Sequence, residues 1–471
     1  MRKSSEARVA SGTGTADPLL DWLYSLRGPS LKWDIETARA FSRWLGHPWR
    51  AFDSVHIAGT NGKGSVAAFV QSIGRAAGLS TGLFTSPHLI RPEERIRLDD
   101  DDIDSTSFRE WIGLLKKEAT EALEQGVLER HPSFFEMLTF ASMLAFRKHD
   151  VGLAVIETGL GGRLDATNVI VPRLTVITTI SKDHTRTLGS TLERIAAEKA
   201  GIIKPGIPVL VGWIEDGPRR VIKSVALERG APFYDAAVDC DITPGPEGIF
   251  SLKTPEQRYG HLACGLRGRH QRRNAALAVR ATELLRQHGI PIRSESVGRG
   301  LSTVRWPGRI ECFAGRPSVL LDAAHNDESA AALGRFLGER PPVSEGGLRV
   351  LVMGTTGGRD AARIMAPILP HVDRVVLTRP EISKAVDPAR AKCAVEAGGT
   401  EATVVEDLEQ AIDKAKMTAG LGGEVIIAGS IYLVGDARRL LLGETGPGHP
   451  RREVVPPVDA DQRDVSRPHA P

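Results

Sequence analysis

The chain of 471 residues carries 61 lysines and arginines against 58 aspartates and glutamates, a formal charge of +3. So small an excess argues against nucleic acid or a membrane surface as a partner, and the length favours two domains over a single hydrophobic core. Four cysteines (Cys240, Cys264, Cys312, Cys393) lack Cys-x-x-Cys spacing, which speaks against a zinc site or disulfide framework and fits reduced, cytoplasmic thiols.

Residues 1–17 are polar and small, without an apolar signal core, and read as a disordered tail. No apolar run approaches the roughly 18 residues of a membrane span. The first strong signal is a β-rich run, Ser54 to Ala58, entering the turn Gly59-Thr60-Asn61-Gly62-Lys63-Gly64-Ser65, with a helical apolar pattern from Val66 to Ala77. Strand, glycine loop and helix N-terminus make a phosphate cradle, because backbone N–H groups can approach an anion and the helix end adds partial positive charge. The match to Gly-x-x-x-x-Gly-Lys-Ser/Thr is imperfect: Ile57 stands in the first glycine's place, and Gly64 separates Lys63 from Ser65. An ordinary glycine turn remains the bland alternative, but a lysine among three glycines favours nucleotide phosphate.

Ser86 lies in Phe84-Thr85-Ser86-Pro87-His88, where a simple Ser-Pro turn is equally compatible. Leu153 to Glu157 and Leu174 to Ile180 are short β-branched runs, expected as buried central strands. Ligands in such sheets bind beyond the carboxyl ends of the strands. Glu157 therefore suits a magnesium ligand or a water-orienting carboxylate, against a capping or salt-bridged role. His184 follows the second strand; a lone histidine is more often structural, and its expected place beside Glu157 favours function. Lys199 sits on the Ala-rich helix Ile195 to Ile202, where an inward lysine either snorkels to the surface or is chemically modified.

A second unit begins after Trp306-Pro307-Gly308-Arg309. Ser318 to Leu321 reads as a strand running into Asp322-Ala323-Ala324-His325-Asn326, then a helix to Leu337. Strands Leu348 to Met353, Arg374 to Leu377 and Glu424 to Ala428 follow, with a glycine loop at 354–358 and a last helix near Ile431 to Leu441. The expected architecture is α/β: an N-terminal P-loop-type ATPase domain (18–309) with a mostly parallel sheet, and a smaller Rossmann-like C-terminal domain (310–442). Residues 443–471, with six prolines and no aromatic residue, read as a second disordered tail.

Taken in order, these segments resemble the bifunctional folylpolyglutamate synthase and dihydrofolate synthase family of the Mur ligase superfamily. The pieces are His56 to Ser65, Ser86 to Leu89, Phe134 to Thr139, Glu157-Thr158-Gly159-Leu160-Gly161-Gly162-Arg163-Leu164-Asp165-Ala166-Thr167-Asn168, Asp183-His184, Glu198 to Lys204, Gly268 to Ala275, Trp306 to Arg309 and Asp322 to Asn326. The resemblance spans roughly residues 18–442, and the Glu157 to Asn168 block is its most specific part.

The resemblance implies ATP as cosubstrate and Mg2+ at two sites. Gly59, Thr60, Asn61, Gly62, Lys63, Gly64 and Ser65 would hold the phosphates, with Asn274, Arg309, Asp322 and His325 on the nucleotide. Ser86 and Glu157 would bind one magnesium, and Glu157, His184 and a carbamylated Lys199 the second. Ser133, Phe134, Phe135, Glu136, Leu164, Asp165 and Ala166 would line the pterin site, with an early contact near Lys32 to Glu36. Lys63, Lys199, Glu157, His184 and Arg309 would carry catalysis.

The implied reaction joins L-glutamate to dihydropteroate, or to the γ-carboxyl of reduced folates, through an acyl phosphate, releasing ADP and phosphate. No Ser-His or Cys-His nucleophile is needed, and none is evident. A monomer is expected. The alternatives are a monofunctional folylpolyglutamate synthase, a nucleotide switch without ligase chemistry, and a cell-wall Mur ligase. The last carries an additional N-terminal domain, whereas 58 residues precede Gly59 here. Two departures from the family pattern stand out. Ala323 replaces a usual glycine and is expected to crowd a positive-φ backbone, and Lys182 stands where glycine is common.

Overall fold

A computed structural model describes residues 17–27, 34–246, 248–356, 360–380 and 385–444. The two expected tails, apart from Asp17, Gly443 and Glu444, lie outside the described residues. So do Lys32 and Trp33 of the early pterin segment and Gly357 and Gly358 of the second glycine loop.

The strand Asp53–Ala58 is the axis of an eight-stranded sheet. Leu153–Glu157 and Leu174–Ile177 run parallel to it on either side, with Ile57 opposite both Glu157 and Val176. The two flanking strands are therefore not neighbours, as the sequence reading of Glu157 and His184 assumed. Thr81–Phe84 extends one side in parallel, followed by the antiparallel Ile96–Leu98 and Asp101–Asp102; Val209–Val211 and Phe233–Asp235 extend the other. The central strands are buried nearly throughout, which is why they read as continuous apolar runs rather than alternating ones.

The strand expected to reach Ile180 ends at Ile177. Thr178 N–H instead donates to the Ala58 carbonyl (2.9 Å), and the Thr179 carbonyl accepts from Thr60 N–H (2.8 Å). These residues leave the ladder to brace the glycine loop. A three-stranded antiparallel sheet (Asp241–Pro244, Ile249–Lys253, Arg258–Ala263) was not foreseen. It packs on the helix Arg269–Gln287, which with Ser296–Thr303 covers the helix Lys63–Ala76 through Phe69, Ile73, Leu277, Leu284 and Leu301.

A six-stranded sheet follows, in the order Glu311–Phe313, Ser318–Leu321, Glu424–Ala428, Arg349–Met353, Arg374–Leu377, Glu401–Val404. It is parallel except for its first pair. Asp327–Gly338 and Ile431–Leu442 are the expected helices. Both domain-sized sheets thus aim their strand ends at one cleft. No helix among the described residues is long and apolar enough to cross a membrane.

Candidate active site

The loop after Ala58 needs glycine at two places. A Cβ on Gly59 (φ +153°) would lie 1.9 Å from Thr178 Oγ1, so no other residue passes there. Gly62 (φ +82°) caps the helix that starts at Lys63, and a Cβ on it would lie 2.7 Å from Asn274 Oδ1. The helix N-terminus and its free N–H groups thus face the cleft. Lys63 Nζ donates to the carbonyls of Gly59 (3.1 Å) and Thr60 (3.3 Å) and stands 3.8 Å from Glu157 Oε1. Gln271 Nε2 donates to Ser65 Oγ (3.3 Å), and Asn274 Nδ2 to Gln271 Oε1 (2.9 Å), tying the Arg269–Gln287 helix to the loop.

Glu157 ends its strand and is only 4% exposed. Burial pushes its carboxyl above the usual range, with Lys63 and the Ser86 N–H (3.3 Å) pulling the other way. Ser86 Oγ accepts from Arg95 (3.0 Å). Lys199 does not snorkel: it is 4% exposed, and its Nζ donates to the Gly59 carbonyl at 2.7 Å. Burial first, and then Lys63, lower its pKa to about 7. Two lysine amines thus share one carbonyl oxygen, an arrangement that two full positive charges oppose.

From the other unit, Arg309 donates to the Gly308 carbonyl (3.0 Å). Burial pulls its pKa below the usual value, while Asp322 and Glu157 offset this. Asp322 is fixed by accepting from Ile310 N–H and Ala324 N–H, both at 2.9 Å, and burial raises its pKa. His325 Nδ1 lies 2.8 Å from the Ala323 carbonyl and its Nε2 3.4 Å from Asp183. The crowding expected at Ala323 does not occur. Its φ is not positive; its N–H donates to the Gly308 carbonyl (2.9 Å), and the left-handed turns fall at Gly308 (+69°) and Ile310 (+48°).

His184 is the least embedded of the expected residues. It occupies a left-handed turn, its side chain is 46% exposed, and its ring lies 3.9 Å from Asp183. Lys182 is exposed on the same segment.

On the acceptor side, Ser133 and Glu136 form a reciprocal cap for the helix Phe134–Lys148, and Glu136 also takes a two-point contact from Arg130 (2.8 and 3.1 Å). Asp165 is spent on Leu160 N–H, Thr167 N–H and the Thr167 hydroxyl. These two carboxylates shape the wall rather than offer free oxygens. The apolar lining comes from Phe134, stacked on Tyr24 with Arg27 above its ring (3.9 Å), from Phe135 beneath Gly159, and from Leu164 and Ala166.

Sequence reasoning missed Asn326 and Glu328. Asn326 Nδ2 donates to Asn61 Oδ1 (2.9 Å), Asn61 Nδ2 returns the bond to Asn326 Oδ1 (3.2 Å), and Glu328 accepts from Asn61 (2.6 Å). An Asn followed three residues later by Ser at a helix start was a legible cap signal, but its partner 265 positions away was not. The expected site residues outside the early pterin segment all line one cleft of about 2530 Å3, and of that segment Asp34 does.

Two family models match: the Mur ligase middle domain over residues 57–282 and the Mur ligase glutamate ligase domain over 308–431. The chain is 37% identical over 405 residues to the dihydrofolate synthase/folylpolyglutamate synthase of Bacillus subtilis (strain 168), covering 84% of this chain and 92% of that one. Its Mycobacterium tuberculosis counterpart is 34% identical over 460 residues (89% and 93%). Among solved structures, M. tuberculosis folylpolyglutamate synthase complexed with ADP and AMPPCP superposes with a TM-score of 0.82 at 31% identity, covering 91% of this chain and 99% of that one. Escherichia coli FolC in complex with DHPP and ADP gives 0.79 at 26% identity (91% and 98%). The chain belongs to the dihydrofolate synthase/folylpolyglutamate synthase family of the Mur ligases.

Proposed function

We propose that this protein is an ATP-dependent amide ligase that joins L-glutamate to dihydropteroate and to the γ-carboxyl of reduced folates. One observation carries the reading: the glycine-loop lysine, a buried strand-end carboxylate and an arginine from the second unit act on one another at the meeting point of two largely parallel sheets. The first unit ends near residue 310 in this proposal, one chain supplies every residue of the site, and the enzyme acts as a monomer.

The acceptor carboxylate attacks the γ-phosphorus of ATP and ADP departs, leaving an acyl phosphate. The glutamate amine then attacks the acyl carbon, the amide forms, a proton leaves the nitrogen and phosphate departs. Two anions must meet in the first step. Lys63 and the helix N-terminus neutralise the phosphates, and Arg309 adds a charge that domain closure brings to bear. Asn274, Asp322 and His325 orient the nucleotide, while Phe134, Phe135, Leu164 and Ala166 hold the pterin.

Magnesium fits the donor set. Glu157 and the Ser86 hydroxyl are hard oxygen donors, and among the described residues no group of three or more His, Cys, Asp or Glu side chains is gathered. A protein that supplies one carboxylate and leaves the remaining positions to phosphate and water matches magnesium's habit. Bound with ATP, it would screen phosphate charge. Glu157, His184 and Lys199 would hold a second ion once Lys199, neutral near its lowered pKa of about 7, has added CO2 and released a proton to become a carbamate.

The test is positional isotope transfer. Dihydropteroate labelled with 18O in its carboxylate should deliver one labelled oxygen to inorganic phosphate per turnover. Product amide with unlabelled phosphate would overturn the acyl-phosphate route.

A further inference from the structure

Residues 182–188 form the cleft wall between the phosphate loop and the acceptor side. At one end Ser181 is clasped to Thr60, its N–H donating to Thr60 Oγ1 (3.0 Å) and its carbonyl accepting from that hydroxyl (3.2 Å). At the other end Leu188 is buried in a cluster against which Leu160 packs, and Leu160 adjoins the expected pterin wall. The segment therefore covers the distance between the reacting phosphate and the body of the acceptor.

Two of its side chains are cations, Lys182 and Arg186, both exposed and both lining the cleft. Among the described residues neither has a carboxylate partner, because Asp183, the acid of this segment, faces His325 and Asn326. Two other cleft arginines are neutralised: Arg269 meets Glu339 and Arg363 meets Asp327, each at 2.7 Å. Arg272 and Arg335 line the cleft elsewhere, Arg272 on the helix that carries Asn274 and Arg335 where its charge lowers the His270 pKa.

We infer that Lys182 and Arg186 form a subsite for the non-reacting carboxylates of the acceptor. This rests on the ligase reading above. Dihydropteroate carries a single carboxylate, the one that reacts, and leaves the pair idle. A monoglutamyl folate brings an α-carboxylate beside its reacting γ-carboxylate, and each further turnover adds one more. Two cations between the phosphate loop and the pterin wall meet charges that dihydropteroate lacks, so they set the preference between the two kinds of acceptor.

The experiment compares wild type with the Lys182→Ala/Arg186→Ala double variant on dihydropteroate, a reduced monoglutamyl folate and its triglutamyl form. Two exposed charge contacts are each modest, so together they should raise the triglutamyl KM by roughly tenfold and the monoglutamyl KM less. KM for dihydropteroate and kcat for all three should stay within about twofold, an effect too small for a lost charge contact. Lys182→Arg should retain wild-type KM values, and added salt should shrink the gap between wild type and double variant. Equal KM changes on all three acceptors, or an unchanged triglutamyl KM, would overturn the subsite. A wild-type enzyme that uses dihydropteroate but no glutamylated folate also overturns it while leaving the ligase reading intact. Absence of turnover on every acceptor overturns the ligase reading itself.

Discussion

Two buried charge clusters in the first unit are built on opposite principles. In one, Arg280 is 4% exposed and pairs with Asp239 (2.8 Å), Glu283 (3.1 Å) and Glu256 (3.6 Å), while Glu283 also accepts from Thr254 (2.7 Å) and Tyr259 (2.9 Å). The guanidinium there meets carboxylates through both Nε and Nη1, and the cluster pins the small antiparallel sheet to the Arg269–Gln287 helix. In the other, Lys63 and Lys199 crowd one carbonyl; Lys63 stands 3.8 Å from Glu157, and Lys199 feels the more distant Asp183 and Asp165. The first cluster is complete without a ligand; the second is an arrangement that a polyanion would complete. Buried charges left out of balance mark the site more clearly than burial alone.

The largest effect should come from breaking the unbalanced cluster. Lys63→Ala is expected to lower ADP release by about a thousandfold or more, the scale of losing a transition-state charge contact. Its melting temperature should stay close to wild type, because the lysine contributes a mismatched charge rather than packing. Full activity in the folded variant would remove the ATP-site assignment.

Glu157→Gln should cost about a hundredfold in kcat/KM, and His184→Ala about tenfold, measured at saturating magnesium. The order follows from geometry: Glu157 is buried beside Lys63 and Ser86, whereas His184 is half exposed with its ring 3.9 Å from Asp183. A reversed order would move the metal assignment toward His184.

Arg280→Ala tests the balanced cluster. Removing the cation leaves Glu283 buried and unpaired, so unfolding free energy should fall by about 3–5 kcal/mol in urea titration. Turnover below the transition should stay within about twofold, since the expected change at the site is no larger than that of a distant substitution. A loss of kcat without a loss of stability would show that the two clusters are not separate.

The subtlest test uses Lys199→Met and pH. The Lys199 pKa falls from 10.5 to about 7 on folding, so between these values the unfolded chain binds the extra proton and stability rises with pH. Below pH 7 both states are protonated and the full penalty is present. Lys199→Met should therefore raise the melting temperature in CO2-free buffer most at pH 6 and progressively less toward pH 10, while abolishing activity. A pH-independent difference would mean that the amine is not the source of the penalty.

Much of this was legible because the informative patterns are local. Leu153–Glu157, Ser318–Leu321, Arg374–Leu377 and Glu424–Ala428 have the bounds their β-branched runs indicate, while the Ala-rich face left Lys199 open between snorkelling and modification, and it is buried. What escaped were consequences of chain crossing. The strand between Glu157 and His184 cannot be inferred from either segment, and the left-handed turn near Ala323 falls on Gly308 and Ile310 because that is where the linker meets the second sheet. The Asn61–Asn326 exchange joins residues that only the assembled domains bring together.

The cleft, at about 2530 Å3, is well above the roughly 300–1,000 Å3 of an ordinary ligand pocket. Three substrates must occupy it, and the space they leave belongs to water. An acyl phosphate is a mixed anhydride, as open to water as to an amine, so an enzyme that stayed this wide would leak. It would consume ATP and regenerate its own acceptor whenever glutamate arrived late. A closure that excluded water before phosphoryl transfer would protect fidelity of coupling as well as rate, and the ratio of ADP formed to amide formed measures how well this chain achieves it.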